Sequence, residues 1–207
     1  WMPLLGILLI AANLRPSITA VGPVLDGLRS SLHLSGAVAS VLISVPLLAF
    51  GLFSPVAPWI SRRLGLDGAL AAALGLLAVA ITVRSLPWTP ALWIGTALLG
   101  AAIAVMNVVL PSVVKRDFPD RIGQITGVYA AVLSAVAAVA AGVAVPIASL
   151  THEGWRWSLG VWAGLAVVAL AVLVPRLRRP SRAAFPSTEG TAPRAYILWP
   201  NSMYEPT

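Results

Sequence analysis

The chain of 207 residues is 58% hydrophobic and only 10% charged, against about a quarter charged in a typical soluble domain, so it cannot clothe a globular core in a hydrated surface. Its net charge of +7 gathers at the ends of apolar runs, a membrane-topology pattern that argues against a nucleic-acid-binding face. With no cysteine anywhere, disulfide frameworks and thiolate metal sites are excluded.

The first apolar run, Met2 to Leu28, is long enough to cross a bilayer, yet it holds NLRPSITAVGP from Asn13 to Pro23. An arginine at the centre of a spanning helix costs about 2.5–3.5 kcal/mol on insertion scales, so Arg15 needs a partner or a task. The run lacks a basic leading segment and continues past the small residues Ala11-Ala12, which reads as a retained helix rather than a cleaved signal. Ser30-Ser31 follow it, and Ser35 is placed to cap a second run, Gly36 to Ile60.

A third run spans Asp67 to Leu86 and ends at Leu86-Pro87-Trp88-Thr89-Pro90. The fourth, Ala91 to Val114, stops before Phe118-Pro119-Asp120; the fifth runs from Ile122 to Leu150 and the sixth from Trp157 to Pro175. Each is near or above the roughly 20 residues a membrane helix needs. Period-two alternation is absent, which argues against a barrel. The expected fold is therefore an all-α membrane protein of six transmembrane helices over residues 1–178. Residues 179–207, rich in Pro, Ser, Thr and Ala, read as a cytoplasmic linker or disordered tail.

Lysines and arginines orient the bundle. Nine basic residues (Arg62, Arg63, Lys115, Arg116, Arg121, Arg176, Arg178, Arg179 and Arg182) fall at one set of helix ends, and three (Arg29, Arg84 and Arg156) at the other. The first set is expected in the cytoplasm with both termini. Trp88, Trp93, Trp155 and Trp157 then sit at the outer interface as anchors, and Arg116 and its neighbours serve topology or pair with Asp117 and Asp120. Small residues along the fifth run, among them Gly127, Ala131, Ser134, Ala138 and Ala141, read as a stripe for close helix packing.

Two of the six runs match each other. NLRPS, Asn13 to Ser17, opens the first set of three helices, and NVVLPS, Asn107 to Ser112, opens the second. Both asparagines count to roughly 12–15 Å from the cytoplasmic face. Helices interrupted by Asn and Pro at corresponding positions of inverted three-helix repeats are where transporters place their sites.

The strings NLRPSITAVGPVL, LISVPLLAFGLFSPVAPWISRRLG, GAAIAVMNVVLPSVVKRDFPDRIGQITGVYAAVLS and GWRWSLGVWA together resemble the cyanate/2-nitroimidazole transporter family of the major facilitator superfamily, over about the first 175 residues. The resemblance implies half of that fold, two inverted three-helix repeats, and implies transport of a small, compact, anionic or weakly polar solute across the cell membrane by alternating access. A second six-helix half is an implied partner, since one half alone is an incomplete transporter. In the superfamily loop after the second helix, Arg63 and Gly65 match while Arg62 replaces the usual acid.

The expected solute site comprises Arg15, whose planar guanidinium suits an anion, with Asn13, Thr19 one turn above Arg15, Asn107 from the fourth helix, and Tyr129 more weakly from the fifth. The competing role for Arg15 is to satisfy backbone carbonyls freed by Pro16. No paired acids, His-Glu cluster or nucleophile motif appears in the spans, so neither an enzyme nor a cofactor or metal centre is expected. A non-transporting fragment, or a subunit of a helical assembly or channel, is the alternative.

Overall fold

Proline lacks the amide hydrogen a helix interior needs, and its ring crowds the preceding residue out of helical conformation. In the computed structural model, which describes residues 2–150 and 154–177, this breaks the first crossing into pieces. Helix α1, Met2–Asn13, stops before Arg15, which keeps a right-handed ψ of −35° but at a stretched φ of −118°, and Pro16 opens the four-residue α2, Pro16–Thr19. Helix α3, Val21–Leu32, leaves at a bend of 41°. Pro23, the third residue of α3, cannot donate back to the turn before it, which suits a bend at that place.

His33 closes α3 in the left-handed region at φ 52°. Ser35 then caps α4, Gly36–Phe53, its hydroxyl accepting the Val38 amide as the sequence leads one to expect. A 3-10 turn over Ser54–Val56 passes into α5, Ala57–Arg84. From Gly36 to Arg84 the helical stretch is 49 residues long, about 74 Å at 1.5 Å per residue and more than twice the thickness of a bilayer core. Gly65, at φ 73° and ψ 168°, divides it; a side chain there would meet the left-handed penalty that glycine escapes. The division separates the second crossing from the third and brings the count of apolar crossings to six.

The remaining helices are α6, Thr89–Asp117, α7, Ile122–Ala148, and α8, Gly154–Gly160, followed by α9, Trp162–Leu177. Helix α6 is the centre of the bundle: 67% of its most apolar stretch is buried, against 11% for the crossing that contains α7. Two glycines let neighbouring backbones reach it. A Cβ on Gly95 would stand 2.6 Å from the Arg84 amide nitrogen of α5, and one on Gly100 would stand 2.6 Å from the Pro46 carbonyl oxygen of α4.

The larger apolar core is built from α1, α5, α6 and α9, with Ile7, Leu70, Leu77, Met106 and Leu173 at its heart. A smaller cluster sits at the other end, where Val24, Leu28, Leu42, Leu92, Ala144 and Leu159 meet Trp155. Among the described residues no strand occurs. The fold is that of an all-helical membrane bundle.

Three expectations need correction. The fourth crossing is not interrupted at Asn107, because α6 carries Pro111 within a continuous helix. The small residues Gly127, Ala131, Ser134 and Ala138 of α7 are exposed, and the packed face of that helix instead presents Ile125, Ala140 and Ala144. Trp155 is buried at 4% exposure within the smaller cluster rather than lying in an interfacial belt, whereas Trp88 and Trp157 are exposed. The tail expected over residues 179–207 lies outside the described residues.

Candidate functional site

The break in the first crossing separates the residues that the sequence groups together. Asn13, the last residue of α1, is 3% exposed, and its amide donates to the Leu9 carbonyl at 2.8 Å and to the Leu165 carbonyl of α9 at 3.3 Å. Those bonds hold α1 against α9, so Asn13 serves the packing of the bundle and its amide is already engaged. Two residues on, Arg15 is exposed, and its guanidinium has no hydrogen bond or ion pair among the described residues. It therefore does not satisfy carbonyls around Pro16.

Thr19 performs part of that local task. Its hydroxyl lies within reach of the Arg15 carbonyl at 3.2 Å, the Pro16 carbonyl at 3.4 Å and the Ala137 carbonyl of α7 at 3.3 Å. It thereby ties the broken segment to the fifth crossing. Asn107 is exposed on α6 among buried neighbours, and its amide donates to the Ile103 carbonyl one turn back at 3.0 Å. Tyr129 is half-buried and packs its ring against the larger core. Among the described residues no hydrogen bond joins any two of these five side chains. Arg15 and Asn107 are left presenting polar groups outward; Asn13, Thr19 and Tyr129 are drawn inward.

Arg84 is the residue that reading in one dimension misplaces. Counted among the outer-loop charges, it is the last residue of α5 and only 1% exposed. Its Nη1 donates to the Ser17 carbonyl at 2.8 Å, the carbonyl-satisfying task that Arg15 does not take. Arg84, Ser17 and Thr19 are among the residues around a half-open cavity of about 220 Å³ bordered by α3, α4 and α6, with Leu42, Pro46 and Thr96 among its walls. A signal was available: Gly95 admits the Arg84 backbone against α6, but glycine spacing does not say which helix will use it.

Two residues past the Gly65 break in α5 a charged clamp forms. Arg116 of α6 donates through Nη1 and Nη2 to the two carboxylate oxygens of Asp67, at 2.7 and 3.0 Å, and through Nε to Asp117 at 2.7 Å. The expected pairing of Arg116 with Asp117 is present, its larger partner Asp67 is an addition, and Asp120 is exposed. Arg63 stacks over Trp59, 5.2 Å from the ring centroid. Near the cavity, Arg156 of α8 donates to the Leu86 carbonyl and lies 4.6 Å from the Trp155 ring centroid, which fixes the α5–α6 loop against α8.

Residues 7–201 match the family model described as Major Facilitator Superfamily. The chain belongs to the major facilitator superfamily. A 2-nitroimidazole transporter from Escherichia coli (strain K12) is 41% identical over 173 residues, covering 84% of this chain and 44% of that protein. The cyanate transport protein CynX of the same organism is 34% identical over 168 residues, covering 81% and 44%. An uncharacterized transporter, YycB, from Bacillus subtilis (strain 168) is 43% identical over 173 residues, covering 84% and 43%.

The chain thus spans less than half the length of these curated relatives. The superfamily and these relatives are transporters, not enzymes. Solved structures share the fold at much lower identity. The proton:xylose symporter XylE bound to 6-bromo-6-deoxy-D-glucose superposes with a TM-score of 0.76 at 14% identity, over 84% of this chain and 44% of its own. A bacterial homologue of the iron transporter ferroportin in its outward-facing state gives 0.67 at 16%, over 86% and 46%.

Proposed function

We propose that this chain is a six-helix half that, with a second half, carries a small anionic or weakly polar solute across the cell membrane by alternating access. The carrying observation is Arg15: a guanidinium at the break of a membrane crossing, exposed and with no partner among the described residues. On a surface facing lipid such a charge is costly, and facing a water-filled cavity between two halves it becomes a docking point for an anion. Asn107, exposed on α6 among buried neighbours, supports a polar cavity on the same reading.

The second half is supported by the faces that this one leaves uncovered. Helix α4 exposes Leu47, Leu48 and Leu52, and α7 exposes the small residues Gly127, Ala131, Ser134 and Ala138. Small side chains on a membrane helix permit close backbone approach, which suits a helix partner better than lipid. Relatives named for cyanate and for 2-nitroimidazole make these two solutes the first probes. The orientation proposed from the basic loops places both termini in the cytoplasm.

The test joins this half to a complete second half in proteoliposomes and measures tracer uptake beside thermal stability. Saturable uptake is expected, with Arg15→Gln reducing it more than about tenfold and leaving the unfolding midpoint unchanged; Arg15→Lys should restore part, since a point charge lacks the planar fork. Uptake and stability falling together, or uptake indifferent to Arg15, overturns the solute role. A non-saturating conductance overturns alternating access in favour of a channel subunit.

A further inference from the structure

We propose that Arg84 makes the broken segment of the first crossing a two-position gate. Its bond to Ser17 holds the closed position described above, and its unmet charge favours an open one in which water reaches the guanidinium. Nη1 donates to the Ser17 carbonyl at 2.8 Å. Nε and Nη2 are buried with no hydrogen-bond partner. The ion pairs among the described residues engage Arg29 and Arg116, not Arg84. A buried donor left unmade costs more than a made bond returns, the more so in a charged group, and a guanidinium does not escape by shedding its proton. One carbonyl therefore retains a side chain that the surrounding packing disfavours.

The packing decides which partner moves. The Arg84 backbone is seated against α6, where a Cβ on Gly95 would stand 2.6 Å from its amide nitrogen. The loop that follows is fixed as well, since Arg156 donates to the Leu86 carbonyl. On the other side stands α2, a helix of four residues between the stretched backbone of Arg15 and a 41° bend. Its hydrogen bond to α7 comes from the Thr19 hydroxyl, 3.3 Å from the Ala137 carbonyl and shared with two carbonyls of its own turn. The half-open cavity beside it is bordered by Ser17, Thr19 and Gly22, and a Cβ on Gly22 would meet nothing within 4 Å, so α2 has room to shift. Residues at the ends of elements are where hinges absorb a change of direction. Displacement of α2 from Arg84 opens the guanidinium to that cavity. Arg15 lies two residues before Ser17, so the same displacement turns the docking point proposed above. On that reading Arg84 gates solute access; the experiment uses no solute, and the two readings can fail separately.

A single cysteine replaces Ser17, which is 1% exposed, in the whole chain held in phosphatidylcholine nanodiscs. Its modification by N-ethylmaleimide is followed beside the thermal unfolding midpoint. Ala102→Cys, fully buried in the core of α6, reports global unfolding. Ser17→Cys should react at least about tenfold faster than Ala102→Cys, because its opening is local. Arg84→Met removes the charge and keeps an unbranched chain. It should slow modification at Ser17→Cys at least about tenfold and leave the midpoint level or higher, since an apolar replacement for a buried charge is often neutral or stabilising. Arg84→Lys keeps the charge and should keep the rate close to that with Arg84. A structural brace gives the opposite signs: faster modification and a lower midpoint in Arg84→Met overturn the gate, as does failure of that variant to fold. So do equal rates at Ser17→Cys and Ala102→Cys, a rate at Ser17→Cys indifferent to Arg84→Met, or a rate in Arg84→Lys slowed as far as in Arg84→Met. If Ser17→Cys itself does not fold, amide hydrogen exchange at Ile18 and Thr19 takes its place, and the same signs decide.

Discussion

A guanidinium in an apolar span is tolerated only where something answers its charge, and the arginines of this bundle meet that demand differently. Arg116 is answered within the chain by Asp67 and Asp117. Arg84 is answered only in part, by one carbonyl, and Arg15 by nothing among the described residues. These differences predict different responses to mutation. Arg116→Ala removes the group that two carboxylates share between α5 and α6, and should lower stability by roughly 1–3 kcal/mol. Arg116→Lys should recover only part, because an ammonium cannot present a fork to Asp67 and a third donor to Asp117 together. Thermal unfolding in detergent checks both; a loss in Arg116→Ala no larger than that of the exposed Arg62→Ala would show the clamp to be idle.

Among the elements, α6 sets the geometry because glycines open it toward two neighbours. At Gly95 the Arg84 backbone presses in from α5, and at Gly100 the Pro46 carbonyl presses in from α4. A single methyl at either place has backbone, not a flexible side chain, in its way. Gly95→Ala and Gly100→Ala should each cost about 1–3 kcal/mol by overpacking, whereas Gly127→Ala on α7, where a Cβ meets nothing within 4 Å, should be silent in this half alone. Equal midpoints for all three variants would contradict the crossings described.

Asn13 and Asn107 show the limit of pattern reading at this scale. Their local sequences are nearly the same, but α1 ends at its asparagine while α6 continues through. One amide is consequently drawn onto α9 and the other left facing outward.

For the whole molecule, the distribution of basic loops and the break at Gly65 predict a bundle threaded with both termini on one side. Single cysteines introduced at Arg63, Pro87 and Asp120 are unambiguous reporters in a chain with none of its own. An impermeant thiol reagent applied to intact cells should modify Pro87→Cys and spare the other two. The opposite pattern would invert the orientation.

The membrane class, six crossings and the Ser35 cap were legible because hydropathy, helix period and turn chemistry are written in consecutive residues; the family was legible only as a resemblance of particular strings such as NLRPSITAVGPVL. Arg15 was legible as a charge at a helix break that needs a partner or a task, since Pro16 stands beside it; that its guanidinium bonds to nothing among the described residues was not. What neighbouring residues cannot state is which face of a helix another helix will cover. Arg84 looks like a loop charge until α3, α4 and α6 close around it, and Trp155 looks like an interfacial anchor until it meets Leu159 and Ala144. The pairing of Arg116 with Asp67 joins residues 49 apart, and that separation is settled by the crossing of α5 over α6. Sequence determined how far each segment lies from water; tertiary packing decided which buried charge had company, because that depends on contacts between segments that share no local signal.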